Sequence, residues 1–521
     1  VKRQQVLENP ESISGALRRY LYFTAAVTGG AIMIVEILGA KMLAPYVGTS
    51  HFVWTAQIAI TLLALAAGYY AGGKLVDRST DLKRLYWAIL VAALYLCFAV
   101  LVIEPVAYGC LQFRLAMGSF LAAGFLFFVP LALLAMAGPF IVRVLSASVA
   151  GIGGNMGRLT AISTLGSFIG TVLIGYVLIP LFHNSITMFA TAALQVIVAI
   201  GYFLSWRRRA LAPAAIVGCV ALGIGGWSVH HDLHRLRFSQ VKELTRRNSA
   251  FGLLQVIEHK GAPRRFYLND YLTQNTYDTE EKKSVSMFTY MLHGLARAYV
   301  SNTSNVLCIG LGVGIVPMEF AREGARVDVV EINPAVVPVA AQYFDLQPEK
   351  LHIIFGDGRY YLNECNRKYD AIILDAFLGD SSPSHLMTRQ AFAAMRRALS
   401  PDGALVINTF ADLEFGHDFF AASLSKTLAS VFRSVRIHSG GEGNTMFVAS
   451  DRAELKPVRE FDFTGVHPSQ LRNVQEAYAG IRETDPAHGI ILTDDFNPVE
   501  FYDAENREAL RRDRALAVRR L

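Results

Sequence analysis

Four features able to do chemistry recur in the second half of the chain, each at the end of a short apolar run. Gly310-Leu311-Gly312-Val313-Gly314 follows Val306–Ile309, and Glu331 follows Val327–Val330. Gly356-Asp357-Gly358 follows His352–Phe355, and Asp375 follows Ala371–Leu374. Glycines let a backbone approach a ligand closely. Glu331 lies 21 residues after Gly310, the spacing at which a carboxylate accepts both hydroxyls of a ribose. One glycine loop alone is a weak signal, and a single acid at such a junction often only caps the next helix. Four in series read as a nucleoside site. A dinucleotide and an adenosyl sulfonium are the two ligand classes considered. Dinucleotide sites use GxGxxG, whose third glycine packs the helix, and Ile315 occupies that place here. An acid at the end of the third strand suits the amino group of adenine. The pattern favours the adenosyl donor.

The elements that must position these residues alternate. The apolar runs read as parallel strands, with helices after Gly314, after Pro334 and over Thr388–Leu399, and a fifth strand at Ala404–Asn408. Such βαβ spacing predicts an α/β Rossmann-like sheet that binds ligands beyond the carboxyl ends of its strands. Ser434–His438 and Thr445–Ala449 read as an antiparallel hairpin at the sheet edge. A smaller hairpin, Leu253–Glu258 with Arg265–Leu268, and a helix over Ser284–Tyr299 precede the domain.

The first half differs in kind. The 521-residue chain is 53% hydrophobic and only 18% charged, with a mean hydropathy of +0.33, against about 25% charged residues in soluble domains. Residues 1–209 carry a net charge of +9 and the remainder −3, summing to the overall +6. The basic excess is thus confined to the apolar half, and a nucleic-acid partner is not expected. Five scattered cysteines, Cys97, Cys110, Cys219, Cys308 and Cys365, suggest neither a zinc site nor a disulfide framework, and no metal is expected.

A helix needs about 20 apolar residues to cross a bilayer. Crossings are read at 20–42, 53–76, 85–106, 116–145, 159–180, 185–206 and 210–229. Basic residues fall in alternate loops, placing the N-terminal end in the cytoplasm. Seven crossings would then put the acidic half outside, away from a cytoplasmic donor, so the Ala- and Gly-rich segment 210–229 is suspected of not crossing. Glu36 and Lys41 are charges within or beside the first span, the kind of residue that marks a site or a structural partner. Gly166 and Gly170 predict close helix packing, and Pro130 and Pro139 predict kinks in the fourth span.

These residues resemble the spermidine synthase (polyamine aminopropyltransferase) family. The whole chain is similar to bacterial proteins in which a multi-span membrane region is fused to a spermidine synthase-like domain. In the soluble half the likeness rests on Tyr267-Leu268-Asn269-Asp270, Gln274, and the segments VLCIGLGVG, VEIN, GDGRYYL and YDAIILDAF. In the apolar half it rests on Gly72-Gly73-Lys74-Leu75-Val76-Asp77-Arg78, on Gly138-Pro139 and on Gly157-Arg158-Leu159. The tail Thr493-Asp494-Asp495-Phe496-Asn497-Pro498-Val499-Glu500 matches that group's TDDxxPVE ending.

The resemblance implies a helical multi-span membrane domain (1–235), a hairpin and helix (236–300), a Rossmann-like domain of the class I methyltransferase type (301–455) and a C-terminal extension (456–521). It also implies roles. Gln274, Gly310, Gly312, Gly314, Glu331, Asp357 and Gly358 would bind decarboxylated S-adenosylmethionine or S-adenosylmethionine. Asp375 would be the catalytic carboxylate, with Asp380 as the second acid of the gate loop. Tyr290, His293, Asp494 and Asp495 would face an amine or polyamine acceptor. Two departures stand out. Val313 replaces an Asp that helps bind the donor's amine in the synthases, and Tyr290 and His293 do not reproduce the family's Tyr-His-Glu spacing. Aminopropyl transfer is the leading expectation, methyl transfer the second, and a transporter or sensor with a nucleoside-binding domain the third. The remaining expectations are a bacterial inner membrane location, a cytoplasmic catalytic domain, the lipid bilayer as partner, and a homodimer as an open alternative.

Overall fold

The computed structural model describes residues 13–48, 51–146, 152–234, 240–377, 383–440 and 443–502, with 508 and 512. Two compact units divide the chain, Val1–Arg235 and Leu236–Leu521.

Among its described residues the first unit contains seven helices long and apolar enough to cross a membrane: α1 (Gly15–Val47), α2 (Phe52–Arg78), α3 (Lys83–Cys110), α4 (Leu115–Leu145), α5 (Gly153–Leu181), α6 (Asn184–Trp206) and α7 (Arg208–His234). The suspected segment 210–229 belongs to α7, a helix of 27 residues. Its length therefore gives no reason to set it apart from the other six. α4 widens into a π-turn at Gly124–Phe128 just before Pro130, and is interrupted at Met136 just before Pro139. Proline offers no N–H and crowds the carbonyl four residues back, so the helical ladder opens there. α5 repeats the device, with a π-turn at Ile174–Leu178 before Pro180. Gly166 and Gly170 bring α5 against α1. A Cβ on Gly166 would stand 2.1 Å from the Ala26 carbonyl oxygen, and one on Gly170 2.6 Å from that of Gly30. Glu36 and Lys41 are half-buried.

The second unit holds two sheets. The first is antiparallel, in the order β1 (Val241–Ser249), β2 (Gly252–His259), β3 (Arg264–Asn269), β4 (Leu272–Asp278), β5 (Lys283–Ser284). Only β2 and β3 correspond to the expected hairpin. β1 and β4 are rich in charged and polar residues, and so carry no apolar run for sequence reading to find.

The second sheet has eight strands: β6 (Asn305–Ile309), β7 (Arg326–Glu331), β8 (His352–Phe355), β9 (Tyr369–Leu374), β10 (Leu399–Thr409), β11 (Ser434–Ser439), β12 (Thr445–Ser450) and β13 (Ile481–Arg482). Their order is β13-β11-β12-β10-β9-β6-β7-β8. β8, β7, β6, β9 and β10 run parallel, and β12, β11 and β13 antiparallel. The chain order reverses between β6 and β9, which makes their carboxyl ends the switch point where such folds bind ligands.

Alternation along the strands builds a core on each face. Val306, Cys308, Val329 and Val406 pack against α8 (Met287–Tyr299), α9 (Ile315–Arg322) and α10 (Val336–Tyr343) through Met291, Leu295, Phe320 and Val339. Leu307, Ile309, Ile372 and Leu405 pack against α11 (Gly358–Glu364), α12 (Arg389–Ala398) and α13 (Phe419–Ala429) through Leu362, Phe392, Met395 and Phe420. The small sheet joins the first core. Tyr267 and Tyr277 meet Phe344 edge-on, with ring centroids 6.3 and 5.9 Å apart. This docking sets β3 and β4 beside the ends of β6 and β7.

Candidate active site

A cavity of about 360 Å³ opens at the switch point. The parallel strands and the loops after them supply Gly310, Gly312, Glu331, Asp357, Gly358, Asp375 and Asn408. The small sheet supplies Tyr267, Asn269, Gln274 and Asn275. The aromatic walls are Phe251, Phe288, Phe377 and Phe410.

The strand ends are tied to one another beyond their regular pairing. The Gly310 amide donates to the Val330 carbonyl (2.9 Å), the Asp375 amide to the Ile309 carbonyl (3.0 Å), and the Gly356 amide to the Glu331 carbonyl (3.0 Å). Gly310 has φ +99°, and a Cβ there would lie 2.2 Å from the Asp375 carbonyl oxygen. Conformation and space both require glycine at this point.

Glu331 is buried, with Oε2 accepting from the Leu311 amide (2.9 Å) and Oε1 from the Asn333 amide (2.7 Å). Burial pushes its carboxyl upward, and these backbone donors only partly offset that. Each oxygen keeps a second lone pair, so the carboxylate is held rigid without being used up.

Asp357 caps α11, with Oδ1 accepting from the amides of Arg359 (2.8 Å) and Tyr360 (3.1 Å). Its Oδ2 lies 2.9 Å from Nε2 of His385. Burial works upward on this carboxyl, but His385 and the two amides outweigh it and hold it below the usual carboxylate range.

Asp375 is half-buried at the cavity wall, with Oδ1 accepting from Nδ2 of Asn408 at 2.8 Å. Asn408 Oδ1 in turn accepts from Nδ2 of Asn444 (2.8 Å). Desolvation pushes the Asp375 carboxyl up to about 6, with Asn408 pulling the other way. A carboxylate poised there can take a proton near neutral pH.

Not every expected residue meets the cavity. Gly314 begins α9 and lines a second cavity of about 220 Å³, where a Cβ would stand 2.5 Å from Leu346 Cδ1. Tyr290 and His293 also line that second cavity and not the first. Tyr290 donates to the Ser284 carbonyl (2.7 Å) and accepts from the His467 amide (3.2 Å). His293 faces Glu323 at 3.2 Å. The two bonds of Tyr290 fix α8 to its neighbours. Val313 is buried in the core and does not line the first cavity. Asp494 and Asp495 are exposed and outside the cavity lining. Asp494 binds Arg359 and Thr388. Asp380 lies outside the described residues.

Sequence reading missed His385, Asn408 and Asn444. Asn408 stands near the carboxyl end of the fifth strand, where the same strand-end rule would have found it. His385 lies in a single 3₁₀ turn (Ser384–Leu386) with no pattern to announce it.

Residues 286–438 match the family model described as the spermine/spermidine synthase domain. The chain is 40% identical over 134 residues to a polyamine aminopropyltransferase of Vibrio vulnificus, covering 24% of this chain and 43% of that one. It is 27% identical over 244 residues to a probable polyamine aminopropyl transferase of Bifidobacterium longum, covering 43% and 54%. It is 34% identical over 151 residues to an N-terminal histidine N-methyltransferase of Emericella nidulans, covering 28% and 26%. The chain thus spans 26% to 54% of the length of these curated relatives.

Proposed function

We propose that this chain, which carries a spermine/spermidine synthase domain over residues 286–438, is a membrane-anchored transferase. It moves an aminopropyl group from decarboxylated S-adenosylmethionine to an amine. The observation that carries this reading is Asp375, raised to about 6, in the same cavity as Gly310, Gly312, Glu331 and Asp357. The two polyamine aminopropyltransferase relatives support it.

The donor's sulfonium is already a good leaving group, so the protein chiefly aligns the reactants. The amine nitrogen forms a bond to the propyl carbon next to sulfur. The carbon–sulfur bond breaks, and its electron pair leaves with sulfur as the neutral thioether methylthioadenosine. The attacking nitrogen sheds a proton, which Asp375 accepts as its carboxylate. Glu331 has the lone pairs to receive ribose hydroxyls, and Asp357 to receive the adenine amino group. The glycine backbone lets the donor lie close to the strand ends.

Methyl transfer is the second reading. The Emericella relative, a methyltransferase by name, favours it. Incubation with each donor and mass spectrometry of the products separates the two. Methylthioadenosine supports aminopropyl transfer, and S-adenosylhomocysteine supports methyl transfer.

Membrane anchoring rests on the seven apolar helices. Retention in the pellet after alkaline carbonate extraction is the expected result, and release into the supernatant would contradict it.

A further inference from the structure

The tail segment after Leu492 lies outside the residues that match the family model, yet it is bonded to the wall of the cavity. The Arg389 amide donates to the Leu492 carbonyl (2.8 Å), and Asn497 Nδ2 donates to the Ser384 carbonyl (2.9 Å). Between them sits Asp494. Its Oδ1 accepts from Thr388 Oγ1 (2.6 Å), and its Oδ2 from Arg359 (2.9 Å). Arg359 also reaches Thr388 Oγ1 (3.3 Å) and the His385 carbonyl (3.4 Å). Thr388 is buried and caps α12 through the Ala391 amide. The tail is therefore bonded to residues 384, 388 and 389, and the stretch between them presents His385 and Leu386 to the cavity.

The side chain so presented is bonded to Asp357. With Asp357 held as a carboxylate, which only accepts, Nε2 of His385 is the donor across the 2.9 Å contact. Two backbone amides occupy Oδ1 and His385 occupies one lone pair of Oδ2. What remains at this end of the cavity is an acceptor of fixed direction. A purine with a 6-amino group offers it a donor. A purine with a 6-oxo group offers another acceptor and is refused.

We infer that Asp494 is a positioning residue for the nucleobase end of the cavity. It acts through Arg359 and Thr388 to hold His385 on Asp357, and so sets a preference for 6-amino over 6-oxo purine nucleosides. This rests on the adenosyl-donor reading above. It also moves Asp494 from the acceptor-binding role the resemblance implied to one at the donor's base.

The test is calorimetric titration of the detergent-solubilised full chain with methylthioadenosine and with methylthioinosine. The wild type is expected to prefer methylthioadenosine. In Asp494→Ala the ratio of the two affinities should fall about 10-fold, the worth of one well-placed hydrogen bond. His385→Ala should lose the preference to a similar degree, and His385→Gln, which keeps an N–H donor, should retain it. Equal weakening of both ligands in Asp494→Ala, with the ratio unchanged, would reduce the tail to a structural brace and overturn the inference. If Asp494→Ala does not fold, the His385 pair decides, and a wild-type ratio in His385→Ala overturns it. A wild type that binds both nucleosides equally also overturns it. A wild type that binds neither contradicts the adenosyl-donor reading itself, which is a separate result.

Discussion

Asn408 Nδ2 donates to Oδ1 of Asp375 across 2.8 Å and, among the described residues, draws the Asp375 carboxyl back toward its ordinary range against desolvation. The pair links the ends of β9 and β10, neighbouring parallel strands. An activity that requires the Asp375 carboxylate should rise with pH along a limb near 6. Replacing Asn408 with Ala removes a bond to the charged form, so the limb should move to higher pH, by about 0.7 unit for one hydrogen bond. Initial rates from pH 5 to 9 on both proteins check this, and a limb that stays put would detach Asp375 from the rate.

The same carboxyl has a stability signature of definite sign. Its folded value, about 6, lies above the ordinary 3.8. The native state therefore holds a proton that the unfolded state has released between those pH values. Stability is full below about 3.8 and falls as pH rises through about 6. Asp375→Asn abolishes this loss, so at pH 8 the variant should be more stable than wild type by about 1–3 kcal/mol, while losing turnover by roughly 10²-fold or more. Thermal melting at pH 5 and pH 8 gives the difference. Equal loss of stability at both values would contradict the assignment.

Glu331 uses both oxygens on backbone amides. Glu331→Gln is isosteric but replaces one acceptor with an NH₂ group facing an N–H. That should cost about 1–3 kcal/mol of stability and weaken donor binding well beyond any effect on the acceptor. Separate KM values for donor and amine measure this. A change confined to the amine would be the wrong outcome.

Tyr290 and His293 carry the opposite expectation. They line the second cavity, so Tyr290→Phe and His293→Ala should leave kcat/KM for the amine within about 2-fold. Tyr290→Phe should lose about 1 kcal/mol of stability, from the bonds to Ser284 and His467. A large rise in amine KM would return them to the acceptor site.

Sidedness can be read directly. In a background with the five native cysteines replaced by Ser, a cysteine at Lys260 in the exposed turn between β2 and β3 should resist a membrane-impermeant maleimide in intact cells and react after permeabilisation. The reason is that the proposed adenosyl donor would be met on the cytoplasmic side. Labelling in intact cells would place the domain with the parity of seven crossings instead.

The existence of β6 to β10, though not their order in the sheet, was legible because parallel strands covered on both faces are continuous apolar runs, and because acids stand where most of those runs stop. Glu331, Asp357 and Asp375 were found for that reason. β1 and β4 were not, because Lys242, Glu243 and Arg246, or Gln274 and Asn275, interrupt any run. Gly314, Tyr290 and His293 show the limit of motif transfer. Gly314 follows the glycine pattern yet packs against Leu346, and Tyr290 and His293, whose spacing already departed from the family's, line the second cavity beside it. His385, and the positioning role proposed for Asp494 in place of the acceptor-facing one, were out of reach for another reason. Their roles follow from a contact network joining positions 359, 388 and 494, which no local pattern encodes.

Aminopropyl transfer in an adenosyl-donor cavity turns on the carboxylate of Asp375. The most direct measurement is the initial rate of methylthioadenosine release at pH 8, with saturating decarboxylated S-adenosylmethionine and a diamine, for wild type and Asp375→Asn. The prediction is amine-dependent release by the wild type and a drop of roughly 10²-fold or more in the variant. Equal rates in the two proteins, or no amine-dependent release by the wild type, would contradict it.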